Sequence, residues 1–196
     1  MFEAITKAML ARMAYLEEID ERDRTDGTER LSRLRQIPPE TGRFLCLLAA
    51  NCPSGDFIEI GTSAGYSTMW LSLAVREKGI KLKTFEILEE KIALAKETFR
   101  KAEIEDYVEL FQGDARENVS RAKDIAFCFL DCEKEFYLDC WDLFSSKVVK
   151  GGLFIADNAL SHHEELKPAL DKIMDDARFD SMIVPIGKGE LVCRRK

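Results

Sequence analysis

The segment at residues 56–68, DFIEIGTSAGYST, constrains the fold of this chain more than any other stretch. An apolar run ends near Glu59 and Gly61, a loop of small residues follows, and a helical pattern then begins. This order predicts a strand, a tight turn and the start of a helix, because glycine accepts backbone conformations in which a side chain would clash. Small residues also let a ligand approach the backbone and the free N–H groups at the helix start.

Short apolar runs and longer helical patterns alternate after this segment. Strands are predicted at residues 56–60, 82–85, 107–111, 125–130 and 153–156, with a final hairpin at 182–184 and 190–193. Helices are predicted at residues 66–77, 89–101, 116–121, 136–148 and 168–177, with an alternative start of the last helix near residue 161. The alternation indicates an α/β fold with a parallel sheet, and such sheets bind ligands at the carboxyl ends of their strands.

The N-terminal region is predicted to be helical. Hydrophobic residues recur at helical spacing over residues 2–24, and a second helix begins at Pro38. We expect residues 1–50 to form a helical extension packed on the core, and residues 51–196 to form the ligand-binding domain. Between the two helices, Arg30, Arg33 and Arg35 mark a basic segment that fits either a solvated surface or a lid beside the ligand edge.

Composition limits the class of protein. With 196 residues and 46% hydrophobic side chains, the chain suits one domain with a sizeable core. The net charge of −7 argues against tight, nonspecific binding to phosphate backbones. No apolar run reaches the length of a membrane span, and the first residues show no secretory signal. We therefore expect a cytoplasmic protein without a membrane partner.

The cysteines and histidines indicate no zinc site. No two cysteines form a Cys-x-x-Cys pair, and the two histidines are adjacent. We expect reduced and mostly buried thiols, as is usual in cytoplasmic proteins, at Cys46, Cys52, Cys128, Cys132, Cys140 and Cys193.

Acidic and amide side chains recur where the predicted strands end. They are Glu59, Glu86, Asp114, Asp131 and the pair Asp157-Asn158. One acid at a strand end often caps the following helix. Five consecutive strands that end this way are less easily explained by capping, and the ends of parallel strands share one edge of the sheet.

The first of these acids fit an adenosine ligand. Glu86 ends the second strand, which is the usual place for a carboxylate that holds ribose hydroxyls. Asp114 can accept a hydrogen bond from an exocyclic amine or cap the next helix. The loop after Gly61 lacks the second glycine of the dinucleotide fingerprint, and Glu59 would repel a pyrophosphate. A cationic ligand would be attracted instead, so S-adenosylmethionine fits better than a nicotinamide dinucleotide.

The last acids resemble a metal site. Asp131, Asp157 and Asn158 offer oxygen donors on neighbouring strand ends, which suit Mg²⁺ or Ca²⁺. Lys134 follows Asp131 by three positions. An alternative is that Asp157 and Asn158 only shape a turn and Lys134 is a surface lysine. Spacing alone leaves both interpretations open.

Taken together, these motifs resemble the metal-dependent class I O-methyltransferases, the group of catechol and caffeoyl-CoA O-methyltransferases. The resemblance covers residues 36–196. The matching residues are 59–67 (EIGTSAGYS), Phe85-Glu86, Gly113-Asp114-Ala115, 131–134 (DCEK), Tyr137, Gly151-Gly152 and Asp157-Asn158.

The resemblance implies a fold and a set of site residues. The fold is a Rossmann-like class I methyltransferase with a seven-stranded, mostly parallel sheet, an antiparallel last strand and helices on both faces. The implied cofactor contacts are Glu59, Gly61, Thr62, Ser63, Gly65, Tyr66, Ser67, Glu86, Ile87, Gly113, Asp114, Ala115 and Asp131. The implied metal ligands are Asp131, Asp157 and Asn158, and the implied catalytic residues are Lys134 and Asp131.

The expected activity is methyl transfer from S-adenosylmethionine to a hydroxyl of a small catechol- or phenol-like acceptor. A divalent metal, Mg²⁺ or Ca²⁺, would activate that hydroxyl. Lys134 would take the proton or stabilise the oxyanion. Alternatives are methylation of a hydroxylated uridine in tRNA and a cofactor-binding protein without catalysis. The resemblance also suggests a homodimer, while Ser161-His162-His163 departs from the family pattern and leaves the acceptor open.

Overall fold

A computed structural model describes residues 1–196. Six α-helices are formed, and they are α1 (Lys7–Asp23), α2 (Pro39–Ala50), α3 (Tyr66–Lys78), α4 (Glu89–Lys101), α5 (Tyr137–Phe144) and α6 (His163–Met174). Seven strands are formed, and they are β1 (Asp56–Ile60), β2 (Leu82–Glu86), β3 (Val108–Gln112), β4 (Ile125–Leu130), β5 (Val148–Ala156), β6 (Phe179–Val184) and β7 (Glu190–Arg195). None of the helices has the length and apolar character needed to span a membrane.

The seven strands form one sheet in the order β3-β2-β1-β4-β5-β7-β6. β4 runs parallel to β1 and β5, whereas β7 runs antiparallel to both β5 and β6. The order reverses between β1 and β4, and open α/β sheets bind ligands at such a switch point. The predicted sheet, with its reversed last strand, is confirmed.

The chain divides into two compact units, and the first comprises Met1–Ala50 and Thr62–Gln112. α3 is buried along nearly its whole length and packs against α2. Gly42 in α2 permits this packing, because a Cβ there would lie 2.3 Å from a ring carbon of Trp70. The predicted boundary near residue 50 is a separate hypothesis about domains and stays a prediction.

The second unit comprises Asn51–Gly61 and Gly113–Lys196. All six residues of β4 are buried, as expected of a strand covered on both faces. The ring of Trp141 lies 5.0 Å from that of Phe154 and 4.8 Å from that of Phe179, so α5 is anchored to the sheet by aromatic packing. Across the whole chain all six cysteines are free thiols, and five of them are buried as expected.

Several predicted helices differ from the structure. The first, predicted over residues 2–24, is a short 3₁₀ helix at Phe2–Ala4 followed by α1. No α-helix forms over residues 116–121, where turns lead into a short 3₁₀ helix at Val119–Arg121. The side chain of Asp114 accepts a hydrogen bond from the Arg116 N–H, and the Asn118 side chain donates to the Asp114 carbonyl. Such local bonds compete with helical ones. The last helix begins at His163, ahead of Pro168, so the earlier of the two predicted starts is the better one.

The strand after α5 is longer than predicted. α5 ends at Phe144, and β5 already begins at Val148 rather than at residue 153. The sequence indicates a turn at Gly151-Gly152, and the structure instead has a register shift there within the strand. A Cβ on Gly152 would lie 2.9 Å from the Ile125 carbonyl oxygen, which explains why a glycine occupies this irregular position.

Candidate active site

Gly61 directly follows β1 and is under a strict steric constraint within the second unit. Its φ is +105°, and an added Cβ would lie 2.1 Å from the carbonyl oxygen of Asp131. The Asp131 N–H also donates to the Ile60 carbonyl at 2.9 Å. The two strand ends therefore touch through their backbones, which requires a residue without a side chain at position 61.

The loop between Gly61 and α3 has an unusual backbone within the first unit. Ser63 has a φ of +47°, and Gly65, the N-cap of α3, has a φ of +86°. A Cβ on Gly65 would lie 2.7 Å from a ring carbon of Phe99. The Thr62 and Thr84 hydroxyls are hydrogen-bonded at 2.6 Å. This loop is tightly packed, and the N–H groups of Thr62, Ser63 and Gly65 donate to the Phe85 carbonyl, the Glu86 carboxylate and the Thr62 carbonyl. Its role as a ligand-binding turn stays a prediction.

Glu86, at the end of β2, is organised by the backbone around it. One carboxylate oxygen accepts from the Ser63 N–H at 2.8 Å, and the other accepts from the N–H groups of Ile87 and Leu88 at 2.9 Å each. Glu86 is buried, whereas the Ile87 side chain is 53% exposed. Two predicted cofactor residues, Ser63 and Glu86, are thus in direct contact.

Two further predicted contacts on α3 are buried. Ser67 is 8% exposed, and the Tyr66 hydroxyl donates a hydrogen bond to Glu17 at 2.5 Å. Burial, followed by that hydrogen bond, raises the pKa of Tyr66. In this structure Tyr66 therefore has a structural role, because its hydroxyl ties α3 to α1.

Asp114, after β3, is held by a cation that the sequence did not single out. Arg116 donates to both carboxylate oxygens, with the shortest distance 2.6 Å, and also to Asp139 at 2.9 Å. The hydrogen bond from Arg116 lowers the pKa of Asp114. The guanidinium carbon also lies 3.8 Å from the ring centroid of Phe136. The Asp114 side chain also accepts the Arg116 N–H and so stabilises the turn after β3. Its contact with an exocyclic amine stays a prediction.

The strand register places three acids side by side in the second unit. Leu130 pairs with Ala156 in the parallel ladder, so Asp131 and Asp157 follow at neighbouring positions. Ala156 pairs with Leu191 in the antiparallel ladder, so Asp157 continues opposite Glu190. Glu59 at the end of β1 is fully buried as well. The predicted gathering of acids at this edge is present, and Glu190 is an additional member.

Asp157 and Glu190 lie in an unusual electrostatic environment. Both residues are 0% exposed, and neither carboxylate receives a hydrogen bond from an N–H or O–H donor. Burial, then the charge of Asp131, raises the pKa of Asp157 to about 6. Burial, then the charge of Asp157, raises the pKa of Glu190 to about 10. A proton held between the two groups, or a bound cation, would supply the missing partner.

Lys134 is buried beside this edge and fully hydrogen-bonded. Its Nζ donates to Asp131 Oδ1 at 3.3 Å, to the Cys132 carbonyl at 3.0 Å and to the Tyr137 hydroxyl at 2.9 Å. Tyr137 in turn donates to the Asp157 carbonyl at 3.2 Å. Three donated bonds use every proton of an ammonium group. The interpretation of Lys134 as a surface lysine is therefore wrong, since the residue is 7% exposed.

Asn158 follows Asp157 with a φ of +67°. Its Nδ2 donates to the Ser161 hydroxyl at 3.3 Å, which leaves its carbonyl oxygen as the group that could bind a cation. Among residues 1–196, no group of three or more His, Cys, Asp or Glu side chains is arranged to hold a metal ion. A cation at this edge would therefore need Asn158, water or substrate oxygens beside the carboxylates.

Comparison with known proteins identifies the family. A profile described as O-methyltransferase matches residues 12–196. The chain belongs to the O-methyltransferase family. The predicted enzyme class, an O-methyltransferase, is confirmed by this match together with the catechol O-methyltransferase described below.

Three similar proteins illustrate the relationship. A catechol O-methyltransferase from Niastella koreensis is 31% identical over 159 residues, which are 75% of this chain and 69% of that protein. A flavonoid 3',5'-methyltransferase from Vitis vinifera is 25% identical, over 98% of this chain and 94% of that protein. The O-methyltransferase from Bacillus cereus in complex with SAH has a TM-score of 0.81 at 19% identity, over 95% of this chain and 91% of that one. This last likeness shows a shared fold.

Sequence reasoning missed Glu190 and Arg116. The search for acids considered only the ends of parallel strands, and Glu190 begins an antiparallel one. The start of an antiparallel strand lies at the same edge as the ends of its parallel neighbours. An acid directly after Gly187-Lys188-Gly189 was therefore a usable signal. The sequence signal for Arg116 was weaker: it is the second residue after Asp114, where turn residues often hydrogen-bond to an aspartate side chain.

Proposed function

We propose that this O-methyltransferase transfers a methyl group to a hydroxyl of a small catechol- or phenol-like acceptor with the help of a divalent cation. The catechol O-methyltransferase relative at 31% identity supports the acceptor class. The observation that carries the cation is Asp157, whose two carboxylate oxygens are buried without a hydrogen-bond donor. Ionised, this side chain needs a positive partner.

The cofactor is proposed to be S-adenosylmethionine. The proposed contacts in the first unit are Thr62, Ser63, Gly65, Tyr66, Ser67, Glu86 and Ile87. The proposed contacts in the second unit are Glu59, Gly61, Gly113, Asp114, Ala115 and Asp131. Glu86 supports this assignment best, since three backbone N–H groups hold its carboxylate in place while lone pairs remain for ribose hydroxyls.

The cation, Mg²⁺ or Ca²⁺, is proposed to be held by Asp131, Asp157 and Asn158. These donors are all oxygen atoms, which is the ligand set that both ions prefer. When bound, the cation would hold two neighbouring acceptor oxygens and make the attacking hydroxyl more acidic. Both carboxylate oxygens of Asp157 are without a hydrogen-bond partner and could bind a cation. Asp131 Oδ1, in contrast, already accepts a hydrogen bond from Lys134.

Lys134 is proposed to stabilise the negative charge on the attacking oxygen. Its three donated hydrogen bonds fix the position of Nζ beside Asp131 and Tyr137. Burial strengthens the effect of its charge, because few water molecules screen it. Of the two roles considered for this lysine, the oxyanion role is the better supported.

Calorimetric titration with S-adenosylmethionine, S-adenosylhomocysteine and NAD tests the cofactor. Binding of the two adenosyl compounds without NAD binding supports the proposal, and binding of NAD alone would refute it.

Turnover with catechol, with singly hydroxylated phenol and with added chelator then tests the acceptor and the cation. We expect catechol to be methylated and chelator to abolish the reaction.

Asp157→Ala separates the cation from the cofactor. We expect loss of metal-dependent turnover with nearly unchanged binding of S-adenosylhomocysteine, because Asp157 is not a proposed cofactor contact. Asp180→Ala, which removes an exposed acid from β6, is the matched control and should keep full activity. If Asp157→Ala turns over normally in chelator, the metal role is wrong.

Three finer predictions accompany this proposal. Exposed Leu10 and Tyr15 on α1 support a homodimer, and a cytoplasmic location is retained as a prediction.

Exposed Arg30 in the basic segment favours the tRNA alternative, whereas the net charge of −7 counts against it. A gel shift with tRNA at low and moderate salt tests this alternative, and no shift at either salt would dismiss it.

A further inference from the structure

Glu190 is a buried carboxylate to which the proposed reaction assigns no role. It begins β7, and the antiparallel register that pairs Ala156 with Leu191 carries Asp157 opposite Glu190. Its side chain is 0% exposed, and neither of its oxygens has a hydrogen-bond partner. The chain has thus placed a second unpartnered acid beside the acid proposed to bind the cation.

Two acidic side chains that face each other without hydrogen-bond donors destabilise a sheet unless a proton or a cation lies between them. Acidic side chains directly opposite on neighbouring strands repel each other, and burial removes the water that would weaken the repulsion. The charge of Lys188 acts on both carboxylates, but no hydrogen bond from it reaches either of them. A small cation that displaces the proton between the two acids would bind these oxygens directly.

We propose that Glu190 is an additional ligand of the divalent cation at Asp157. The inference rests on the proposed function, since it adds a carboxylate to that site. The site then has two buried carboxylates and the Asn158 amide oxygen, directly after the end of β5 and at the start of β7. An additional oxygen donor replaces a water in the coordination shell of the ion.

The first test measures metal affinity rather than activity. Mn²⁺ is titrated by calorimetry into the full-length, metal-free wild-type protein and into Glu190→Gln and Glu190→Val. We expect both variants to bind Mn²⁺ at least about tenfold more weakly. Glu109→Gln, which neutralises an exposed acid on β3, is the matched control and should bind as the wild type does.

The second test counts bound water. Eu³⁺ replaces the divalent ion, and its luminescence decay in H₂O and D₂O gives the number of coordinated waters. Loss of a direct ligand should raise that number by about one in both variants. Without metal, both variants should unfold at the wild-type temperature or above, because neither variant has to bury the Glu190 carboxyl group. This measurement shows that the variants are folded.

The outcomes separate this inference from the proposed function. If the wild type binds Mn²⁺ and both variants bind it equally well with unchanged hydration, Glu190 is not a ligand and only the inference falls. If the folded wild type binds neither Mn²⁺ nor Eu³⁺, the protein has no cation site. The cation in the proposed function and the role of Glu190 are then both refuted. Weaker binding with more bound water in both variants supports Glu190 as a ligand.

Discussion

Replacement of Gly61 by alanine gives a sharp test of how the strand ends are built. The added Cβ would lie 2.1 Å from the Asp131 carbonyl oxygen and 2.7 Å from its carbon. Backbone atoms cannot rotate away as a flexible side chain can, so the Asp131 strand end must shift. The shift would also strain the hydrogen bond from the Asp131 N–H to Ile60.

The expected cost has two parts. A φ of +105° is rarely adopted by residues with a side chain, and such strain costs about 1–3 kcal/mol. Overpacking of a close-packed region adds about 1–3 kcal/mol. We therefore expect Gly61→Ala to lower the free energy of unfolding by about 2–6 kcal/mol.

Gly79→Ala is the matched control for the steric part. Gly79 also has a positive φ, +66°, but its added Cβ would meet no atom within 4 Å. Gly79→Ala should therefore lower the free energy of unfolding only by the cost of the backbone conformation, about 1–2 kcal/mol. Urea denaturation of both variants against the wild type measures the difference. If Gly61→Ala costs no more than Gly79→Ala, the inferred contact with Asp131 does not constrain this position.

Three further predictions concern the site residues. Lys134→Met should reduce kcat by about 10²–10⁴-fold with unchanged cofactor affinity, because a buried positive charge is lost, and Lys167→Met on the surface should leave steady-state rates unchanged. Glu86→Gln should weaken S-adenosylhomocysteine binding about tenfold or more in calorimetry, since its amide would face the Ser63 N–H, donor against donor. The raised pKa values of Asp157 and Glu190, about 6 and about 10, mean that the folded protein holds more protons than the unfolded chain. The stability that these two groups contribute to metal-free protein should thus be fully present below their unfolded pKa values and be lost as pH rises through about 6 and on towards 10, by at most about 1.4 kcal/mol per pH unit for each group. Urea denaturation across this range checks the sign, and stability that rises with pH would contradict it.

Local sequence patterns located the regular elements closely where hydrophobic periodicity was strong. The predicted bounds of β1, β4 and α4 agree with the structure. The prediction of a helix over residues 116–121 was wrong, because Asp114 and Asn118 hydrogen-bond to nearby backbone groups and stabilise turns. Periodicity does not report such competing side-chain bonds.

The sequence by itself determined the α/β class, the glycine-bearing turn after β1 and the placement of polar residues at strand ends. These features are local, because they depend on residue order and on backbone conformations that few residues tolerate. It also identified Asp131, Lys134 and Asp157 as one group, since strand ends in a parallel sheet share an edge.

Only the tertiary structure decided which of these groups are satisfied and which are not. Lys134 is fully hydrogen-bonded and Asp114 is held by Arg116, whereas Asp157 lies opposite Glu190 without a donor. Glu190 is 33 positions from Asp157 in the chain, and the pairing of β5 with β7 brings them together. Burial and the register between distant strands set the electrostatics of this edge, and neither can be read from local sequence.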